Sequence, residues 1–183
     1  MSPAGTKAIR PRKRTFCLTA EATSEALTAA VLTVSDSCAR GDRTDTGGPA
    51  VAEFLSKNKF SVVATEIVPD DLLSIEKALA LLAERARLVV STGGTGIAPR
   101  DVTPEATRLV CERFLDGVAE RIRAVGVKKT PFAALSRGLC GVRGKSLILN
   151  LPGSPKGAVE SLEAVIQILP HALQLLAGNT AHP

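Results

Sequence analysis

Residues 88–107 read LVVSTGGTGIAPRDVTPEAT, and this stretch decides the fold. Its first five residues, Leu88–Thr92, are mostly apolar or β-branched, which is typical of a strand buried in a parallel sheet. Three glycines and two threonines follow within Thr92–Gly96, and such a composition favours a turn whose backbone lies close to a ligand. Thr103 and Pro104 then cap and begin a helix. The stretch predicts a strand, a glycine loop and a helix in succession.

The same alternation continues on both sides of this stretch. Apolar runs predict three further strands, at residues 29–34, 62–68 and 146–150. After the first of them comes a polar loop, residues 35–48. Helical spacing of apolar residues predicts helices at 49–57, 72–86, 103–114 and 117–125, and a last helix carrying Val159, Leu162, Ile166 and Leu169. Strands that alternate with helices indicate an α/β fold, a three-layer α/β/α sandwich with a largely parallel central sheet.

The 183 residues fit one domain, which we expect to span residues 29–183. Residues 1–28 form a basic extension in which apolar residues do not recur at helix or strand spacing. We interpret it as a disordered tail, a transit peptide or a cloning remnant. Five cations and no acid occupy the first fourteen residues, and their charge equals the whole net charge of +5. The domain itself is near neutral and has five Phe but no Trp or Tyr, which argues against nucleic-acid binding. No apolar run is long enough to span a membrane.

The four cysteines, Cys17, Cys38, Cys111 and Cys140, are widely and irregularly spaced. This spacing favours free thiols in a reducing cytosol and hence a cytoplasmic protein, with disulfides or a zinc site as the alternatives. The chain has only two histidines, one of them close to the C-terminus, which argues against a histidine-based mechanism.

Polar residues follow each of the four predicted strands. Ser35 and Asp36 follow the first, Asp70 the second, the glycine loop the third, and residues 150–154 the last. Ligands of open parallel sheets bind beyond the carboxyl ends of the strands. We therefore expect these four strand ends to form one site.

The glycine loop, Thr92, Gly93, Gly94, Thr95 and Gly96, is either a tight structural turn or a nest of N–H groups that binds a phosphate. It is neither a Walker A motif nor GxGxxG. Arg100 and Asp101 follow closely and precede a helix N-terminus, which itself favours anions. This continuation favours the phosphate-binding interpretation.

Asp70 and Asp101 lie beside prolines in strand-end loops, where a stiff backbone can hold a carboxylate. Their functional interpretation is Mg²⁺ coordination next to a nucleotide, since Mg²⁺ prefers one or two carboxylates plus substrate phosphates. The alternative for Asp70 is helix N-capping, with Asp71 as the competitor. Asp36, Asp42 and Asp45 are weaker candidates, and a solvated loop explains the last two.

Five motifs in this order, LTVSDS (32–37), residues 92–107, PFAALSR (131–137), GVRGK (141–145) and LNLPGS (149–154), resemble the molybdenum-cofactor biosynthesis proteins. The resemblance is to the molybdopterin adenylyltransferase branch, which includes bacterial MogA and the G domains of plant molybdenum-cofactor proteins and of gephyrin. It covers residues 29–178. The stretch TGGTGIAPRDVTPEAT is highly specific and LPGSPKG moderately so.

The resemblance implies a homotrimer that transfers AMP from Mg-ATP to the terminal phosphate of molybdopterin and releases pyrophosphate. It implies that Asp70 and Asp101, the two residues interpreted above as Mg²⁺ ligands, are the catalytic acids. The other implied substrate and nucleotide contacts are the glycine loop and Ser35, Asp36, Ser136, Asn150, Pro152, Gly153 and Ser154. We add Arg100 to this set because its neighbours form the glycine loop. The implied macromolecular partner is the molybdate-insertion protein of the same pathway.

Three rival interpretations remain open. The molybdate-insertion branch shares the fold, but its chains are normally much longer than 183 residues. A scaffold role is the second rival, since gephyrin-type relatives organise membrane receptors. A non-catalytic pterin carrier with the same pocket is the third.

Overall fold

The computed structural model describes residues 27–179. Within this range the chain forms six strands: β1 Thr28–Val34, β2 Ser61–Val68, β3 Leu88–Thr92, β4 Arg113–Phe114, β5 Cys140–Arg143 and β6 Ser146–Leu151. It also forms a 3₁₀ turn, Pro131–Leu135, and seven α-helices: α1 Asp36–Ala39, α2 Gly47–Lys57, α3 Leu72–Arg85, α4 Thr103–Val110, α5 Asp116–Gly126, α6 Pro155–Glu163 and α7 Leu169–Leu176.

All six strands join one sheet in the order β2-β1-β3-β6-β5-β4. The pairs β1–β2, β1–β3 and β3–β6 are parallel, whereas β5 pairs antiparallel with both β6 and β4. Four parallel strands with a short antiparallel extension confirm the largely parallel sheet predicted from the sequence.

Helices cover both faces of this sheet because its central strands are apolar on both sides. In β1, Ala29 and Val31 pack into one core with α2, α5, α6 and α7, while Ala30 and Leu32 pack into a second core with α3 and α4. Burying both faces removes apolar area that a single layer of helices would leave in water. The fold is the three-layer α/β/α arrangement expected from the sequence.

The predicted helix at 103–114 is too long. Helix α4 ends at Val110, and Arg113–Phe114 forms strand β4. Arg113 pairs with Val142 and Phe114 with Gly141, so an antiparallel ladder replaces the last helical turn. Its partner β5 was absent from the sequence prediction because four residues carry too little periodicity to be recognised.

The single predicted C-terminal helix is also wrong, because residues 164–168 form a turn between α6 and α7. Pro170 lies in the first turn of α7. Proline has no N–H for the carbonyl four residues earlier and clashes with it sterically, so a continuous helix cannot pass through this position.

The polar loop predicted at 35–48 contains more structure than expected. Ser35 caps the short helix α1, and α2 begins at Gly47 instead of Pro49. Asp45 is not simply solvated, because its carboxylate accepts hydrogen bonds from the N–H groups of Gly47 and Gly48 and from the Thr33 hydroxyl. It therefore fixes the start of α2 against β1.

Predictions about residues 1–26, including Cys17, lie outside the described part of the chain. Strand β1 begins at Thr28, one residue before the predicted domain boundary. Within residues 27–179 no helix has the length and apolar character needed to cross a bilayer.

Candidate active site

The carboxyl ends of the four parallel strands meet at one edge of the sheet. Val34 pairs with Val68, Thr33 with Thr92, and Thr92 with Leu151. The loops that follow these strands therefore start side by side, as the sequence analysis expected.

The glycine loop after β3 adopts backbone angles that require glycine. Gly93 has φ 106° and Gly94 has φ 62°. A Cβ on Gly93 would lie 2.2 Å from the carbonyl oxygen of Val34, so the loop passes closer to β1 than any side chain allows. Glycine is thus required here both for its backbone conformation and for its size.

Thr103 holds this loop in place. Its hydroxyl donates to the Gly93 carbonyl at 2.9 Å, and its N–H donates to the Gly94 carbonyl at 3.1 Å. The expected N-cap role is wrong, because the N-cap position of α4 is Val102 and Thr103 is its first residue. The Gly93 N–H donates to Leu151, whereas the N–H groups of Gly94, Thr95 and Gly96 make no hydrogen bond to another described residue. Three free donors in succession can bind an anion.

Arg137 is the residue that the sequence analysis missed, since a lone arginine in a loop looks like a solvated cation. Its N–H donates to Thr95, and its guanidinium donates to the carbonyls of Gly96, at 2.6 Å, and Asp101, and to both carboxylate oxygens of Glu105. Burial is the largest single effect on Glu105 and raises its pKa, but the hydrogen bond from Arg137, a backbone hydrogen bond and the charges of Arg137 and Arg108 together lower the pKa of this carboxyl. One side chain thus connects the glycine loop to the start of α4. The only sequence signal was its position in the PFAALSR motif.

The two predicted acids lie against the glycine loop at different points. A Cβ on Gly94 would lie 3.3 Å from a carboxylate oxygen of Asp70, and one on Gly96 would lie 2.7 Å from a carboxylate oxygen of Asp101. Asp101 accepts the Ala98 N–H at 2.8 Å. The N-cap of α3 is Asp71, whose carboxylate accepts the Ser74 N–H, so the capping alternative for Asp70 is wrong.

Arg100 pairs with Asp36, and neither residue lines either of the two clefts described below. Its guanidinium lies 2.8 Å and 2.7 Å from the two carboxylate oxygens of Asp36. The hydrogen bond from Arg100 lowers the pKa of the Asp36 carboxyl, and the same pair raises the pKa of Arg100. The loops after β1 and β3 are thereby joined across the end of the sheet.

Two clefts flank the glycine loop. The first, the helical cleft, has a volume of about 460 Å³ and lies between the loop and helices α5 and α6. The second, the strand-end cleft, has a volume of about 490 Å³ and lies over the ends of β1 and β3. Asp101 lines the helical cleft and Asp70 the strand-end cleft. Both clefts share Gly94, Gly153 and Ser154, so a common wall separates two neighbouring binding spaces.

The remaining predicted site residues fall into two groups. Those that line a cleft are Ser35, Thr92 and Gly93 in the strand-end cleft, and Thr95, Gly96, Ser136 and Pro152 in the helical cleft. Asn150 lines neither of them. Its buried amide donates to Ser91 and Thr107 and accepts from the Leu139 N–H, so its polar atoms are occupied in supporting the loops.

Further contacts link the last strand end to the rest of the site. The Thr92 hydroxyl donates to the Pro152 carbonyl at 2.7 Å. A Cβ on Gly153 would lie 3.3 Å from the Gly93 Cα, so these two glycines pack against each other. Ser154 caps α6 by accepting the Gly157 N–H. The shared wall is therefore fixed from both the β3 and the β6 sides.

Comparison with known proteins agrees with this geometry. The family model described as "Probable molybdopterin binding domain" matches residues 30–171, which include the glycine loop, both acids and the shared wall. The chain belongs to the molybdopterin-binding domain family. Its members include the molybdopterin biosynthesis enzyme MoaB of Thermus thermophilus, whose structure has been solved. That structure is 56% identical, has a TM-score of 0.78 and covers 83% of this chain and 97% of its own.

Two curated members differ in how much of them this chain spans. The molybdopterin adenylyltransferase of Helicobacter pylori is 44% identical over 153 residues, which are 81% of this chain and 87% of that protein. The molybdenum cofactor synthesis protein cinnamon of Drosophila melanogaster is 41% identical over 160 residues, 86% of this chain but only 27% of that protein. The chain thus corresponds to nearly the whole bacterial enzyme and to about a quarter of the insect protein.

Proposed function

We propose that this protein is a molybdopterin adenylyltransferase, which transfers AMP from ATP to the terminal phosphate of molybdopterin and releases pyrophosphate. The observation that carries the proposal is the pair of clefts with a common wall at Gly94, Gly153 and Ser154. A two-substrate transfer needs two adjoining binding spaces whose reacting groups meet. The Helicobacter pylori relative named for this activity supports the choice of substrates.

The reaction demands charge neutralisation and alignment more than proton transfer. An oxygen of the terminal phosphate of molybdopterin attacks the α-phosphorus of ATP, and the bond to the β-phosphate oxygen breaks. Pyrophosphate leaves with the electron pair. Because the attacking phosphate is already ionised at neutral pH, no general base is required. The free N–H groups of Gly94, Thr95 and Gly96 can bind a phosphate at the shared wall and lower the repulsion between the substrates.

Asp70 and Asp101 are the proposed catalytic acids, one in each cleft. The Asp70 carboxylate accepts a hydrogen bond from the Asp36 N–H, and the Asp101 carboxylate accepts one from the Ala98 N–H. Each carboxylate therefore has a fixed position. Within residues 27–179 no cluster of three or more His, Cys, Asp or Glu side chains could hold a metal ion. The residues fit Mg²⁺ bound mainly through substrate phosphates and water with Asp70 or Asp101 as one ligand, where it would neutralise phosphate charge.

We further propose a homotrimer. The family resemblance implies three copies. The edge strand β2 supports self-association, because it leaves Val63 and Ile67 more than 40% exposed and native proteins usually protect exposed apolar edge strands. Light scattering should give three times the 19.1 kDa chain mass. A monomer at micromolar concentration would contradict this part of the proposal.

The cytoplasm is the proposed location, because Cys38, Cys111 and Cys140 are free thiols, as in a reducing compartment. The adenylylated product is an activated intermediate that a later reaction must consume. The proposed partner is therefore the molybdate-insertion protein, which takes over this product.

The decisive experiment is an anaerobic turnover assay with molybdopterin and Mg-ATP, in which pyrophosphate and adenylylated molybdopterin are measured in equal amounts. Asp70→Ala and Asp101→Ala should lose most of the rate while retaining molybdopterin binding. Asp42→Ala is the matched control, because Asp42 is an exposed residue paired with Arg40 outside both clefts. Binding of both substrates without pyrophosphate would indicate a carrier or a scaffold, and wild-type rates in both alanine variants would exclude the proposed mechanism.

A further inference from the structure

The strand-end cleft contains a cation that lies outside all five sequence motifs. Arg43 belongs to the loop between α1 and α2, and its guanidinium donates to the Ser35 hydroxyl at 3.4 Å. Of the described residues that line this cleft, Arg43 alone carries a positive charge, while Asp45 and Asp70 are negative. A cation in the wall of a cleft attracts anionic ligands to it.

Arg43 also differs from the other arginines at this edge of the sheet in having no acidic partner. It forms no ion pair with another residue in the range 27–179, so its charge is available to a ligand. The planar guanidinium can donate two parallel hydrogen bonds to a phosphate. The other arginines at this edge are paired: Arg40 with Asp42, Arg100 with Asp36 and Arg137 with Glu105.

The two carboxylates of the cleft are bound by other donors. The Asp45 carboxylate accepts hydrogen bonds from the N–H groups of Gly47 and Gly48, and the Asp70 carboxylate accepts one from the Asp36 N–H. Their positions therefore do not depend on Arg43. A wall with fixed carboxylates and one unpaired guanidinium suits a polyphosphate whose charge is partly neutralised by Mg²⁺.

We infer that Arg43 binds the β- and γ-phosphates of ATP in the strand-end cleft and stabilises pyrophosphate as it leaves, and this inference rests on the proposed function. The α-phosphate has to lie at the shared wall, where the phosphate of molybdopterin can reach it. Arg43 is not part of that wall, because it lines the strand-end cleft alone. The β- and γ-phosphates then extend from the wall into the cleft that contains Arg43.

The transfer step explains why a cation at this position raises the rate. A bond forms between an oxygen of the molybdopterin phosphate and the α-phosphorus, and the bond from the α-phosphorus to the bridging oxygen of the β-phosphate breaks. The electron pair stays on that oxygen, so the negative charge of the pyrophosphate increases and no proton moves. A cation in contact with this group stabilises the transition state more than bound ATP. We therefore expect Arg43 to raise kcat in addition to the affinity for ATP.

The test is calorimetric titration of Mg-pyrophosphate and, separately, of AMP into the wild type and the Arg43→Gln, Arg43→Lys and Arg40→Gln variants. R43Q should weaken Mg-pyrophosphate binding about tenfold, since a charged hydrogen-bond donor is lost. AMP, which lacks the β- and γ-phosphates, should bind R43Q within about twofold of the wild type. R43K keeps the charge but not the paired donors, so it should lose about threefold.

Arg40→Gln is the matched control. Arg40 lies three positions before Arg43, is exposed and lines neither cleft. R40Q should therefore bind both ligands like the wild type. In the turnover assay R43Q should lower kcat about tenfold or more and raise the KM for ATP, with the KM for molybdopterin unchanged. Its thermal midpoint should stay near that of the wild type, because the only side-chain contact it loses is the one to Ser35.

Two results would overturn the inference and leave the proposed function intact. One is an equal affinity of R43Q and wild type for Mg-pyrophosphate, and the other is an equal weakening of pyrophosphate and AMP binding. If R43Q does not fold, R43K measures the same contact, and wild-type pyrophosphate binding in R43K would again overturn the inference. A wild type that binds Mg-pyrophosphate but forms no adenylylated molybdopterin contradicts the proposed function, and the inference fails with it.

Discussion

Asp36 and Asp70 bind each other reciprocally through backbone and side chain. The Asp36 N–H donates to the Asp70 carboxylate at 2.8 Å, and the Asp70 N–H donates to the Asp36 carboxylate at 3.1 Å. The two residues lie in the loops that follow parallel strands β1 and β2. Their exchange fixes Asp70 beside the glycine loop and leaves Asp36 able to pair with Arg100.

Asp70→Asn separates the charge of this residue from its structural role. The asparagine amide oxygen can still accept the Asp36 N–H, so the thermal midpoint should stay near that of the wild type. The turnover rate should fall on the order of a hundredfold because a charged group at the reacting phosphates is lost. Asp42→Asn is the control for a general charge effect. An unchanged rate in D70N would remove Asp70 from the proposed mechanism.

The Asp36 pKa should depend on Arg100. Because the hydrogen bond from Arg100 lowers this pKa, the pair contributes stability above the ordinary Asp pKa and loses it as pH falls through the lowered folded-state value. In Arg100→Gln the Asp36 pKa should return toward its ordinary value. Carboxyl carbon NMR titration of both proteins from pH 6 to pH 2, roughly the range over which carboxyls titrate, measures this directly. Identical Asp36 curves would show that the ion pair does not persist in solution.

Arg137→Lys should weaken the hydrogen bonds that hold the glycine loop but keep the positive charge. Lysine keeps the charge but cannot bond Gly96, Asp101 and both Glu105 oxygens at once. We expect a loss of about 1–2 kcal/mol in the free energy of unfolding and a fall in kcat of about tenfold or more. Urea unfolding and the turnover assay provide the two values. Arg113→Lys, at an exposed position on β4, should change neither value.

Gly93→Ala should be among the most destabilising substitutions in the glycine loop. It combines an unfavourable φ of 106° with a contact of 2.2 Å to the Val34 carbonyl oxygen, and together these should cost about 3 kcal/mol or more. Gly144→Ala is the matched control, since Gly144 also has positive φ but a Cβ there would have no other atom within 4 Å. It should cost about 1 kcal/mol. Equal losses in urea unfolding would mean that the loop moves away from β1.

Thiol reactivity should distinguish Cys38 from the two other described cysteines. Burial raises the pKa of Cys111 to about 11 and that of Cys140 to about 12, so both stay protonated and unreactive near neutral pH. Cys38 is partly exposed and lines the strand-end cleft. In a Cys17→Ser variant, iodoacetamide should label Cys38 first, and Mg-ATP should slow the labelling. Mass spectrometry identifies the labelled peptide, and equal rates with and without Mg-ATP would place the nucleotide elsewhere.

Much of the fold could be predicted because its signals are local. The apolar runs at β1, β3 and β6 are buried on both faces, and each is followed by a loop rich in glycine or polar residues. The short strands β4 and β5 escaped prediction because they exist through pairing with each other and with β6. Their own sequences carry almost no periodic signal.

The residues of the candidate site also divide into those that the local sequence reveals and those that only the folded structure reveals. Asp70, Asp101 and the glycine loop could be selected from the sequence because their residue types and strand-end positions are unusual. Arg137, Thr103 and Asp45 could not, since an arginine, a threonine and an aspartate are ordinary residues until their partners are known.

The sequence by itself determined the α/β class, the parallel strands and the edge at which a phosphorylated ligand is expected to bind. These properties follow from the hydrophobic period and from backbone conformations that only glycine adopts easily, and both act over a few residues. Only the tertiary structure decided that the acids lie in two clefts with a common wall, and that Arg137 connects the glycine loop to α4. Those relationships join residues more than thirty positions apart, and no local pattern encodes the direction in which a side chain finds its partner.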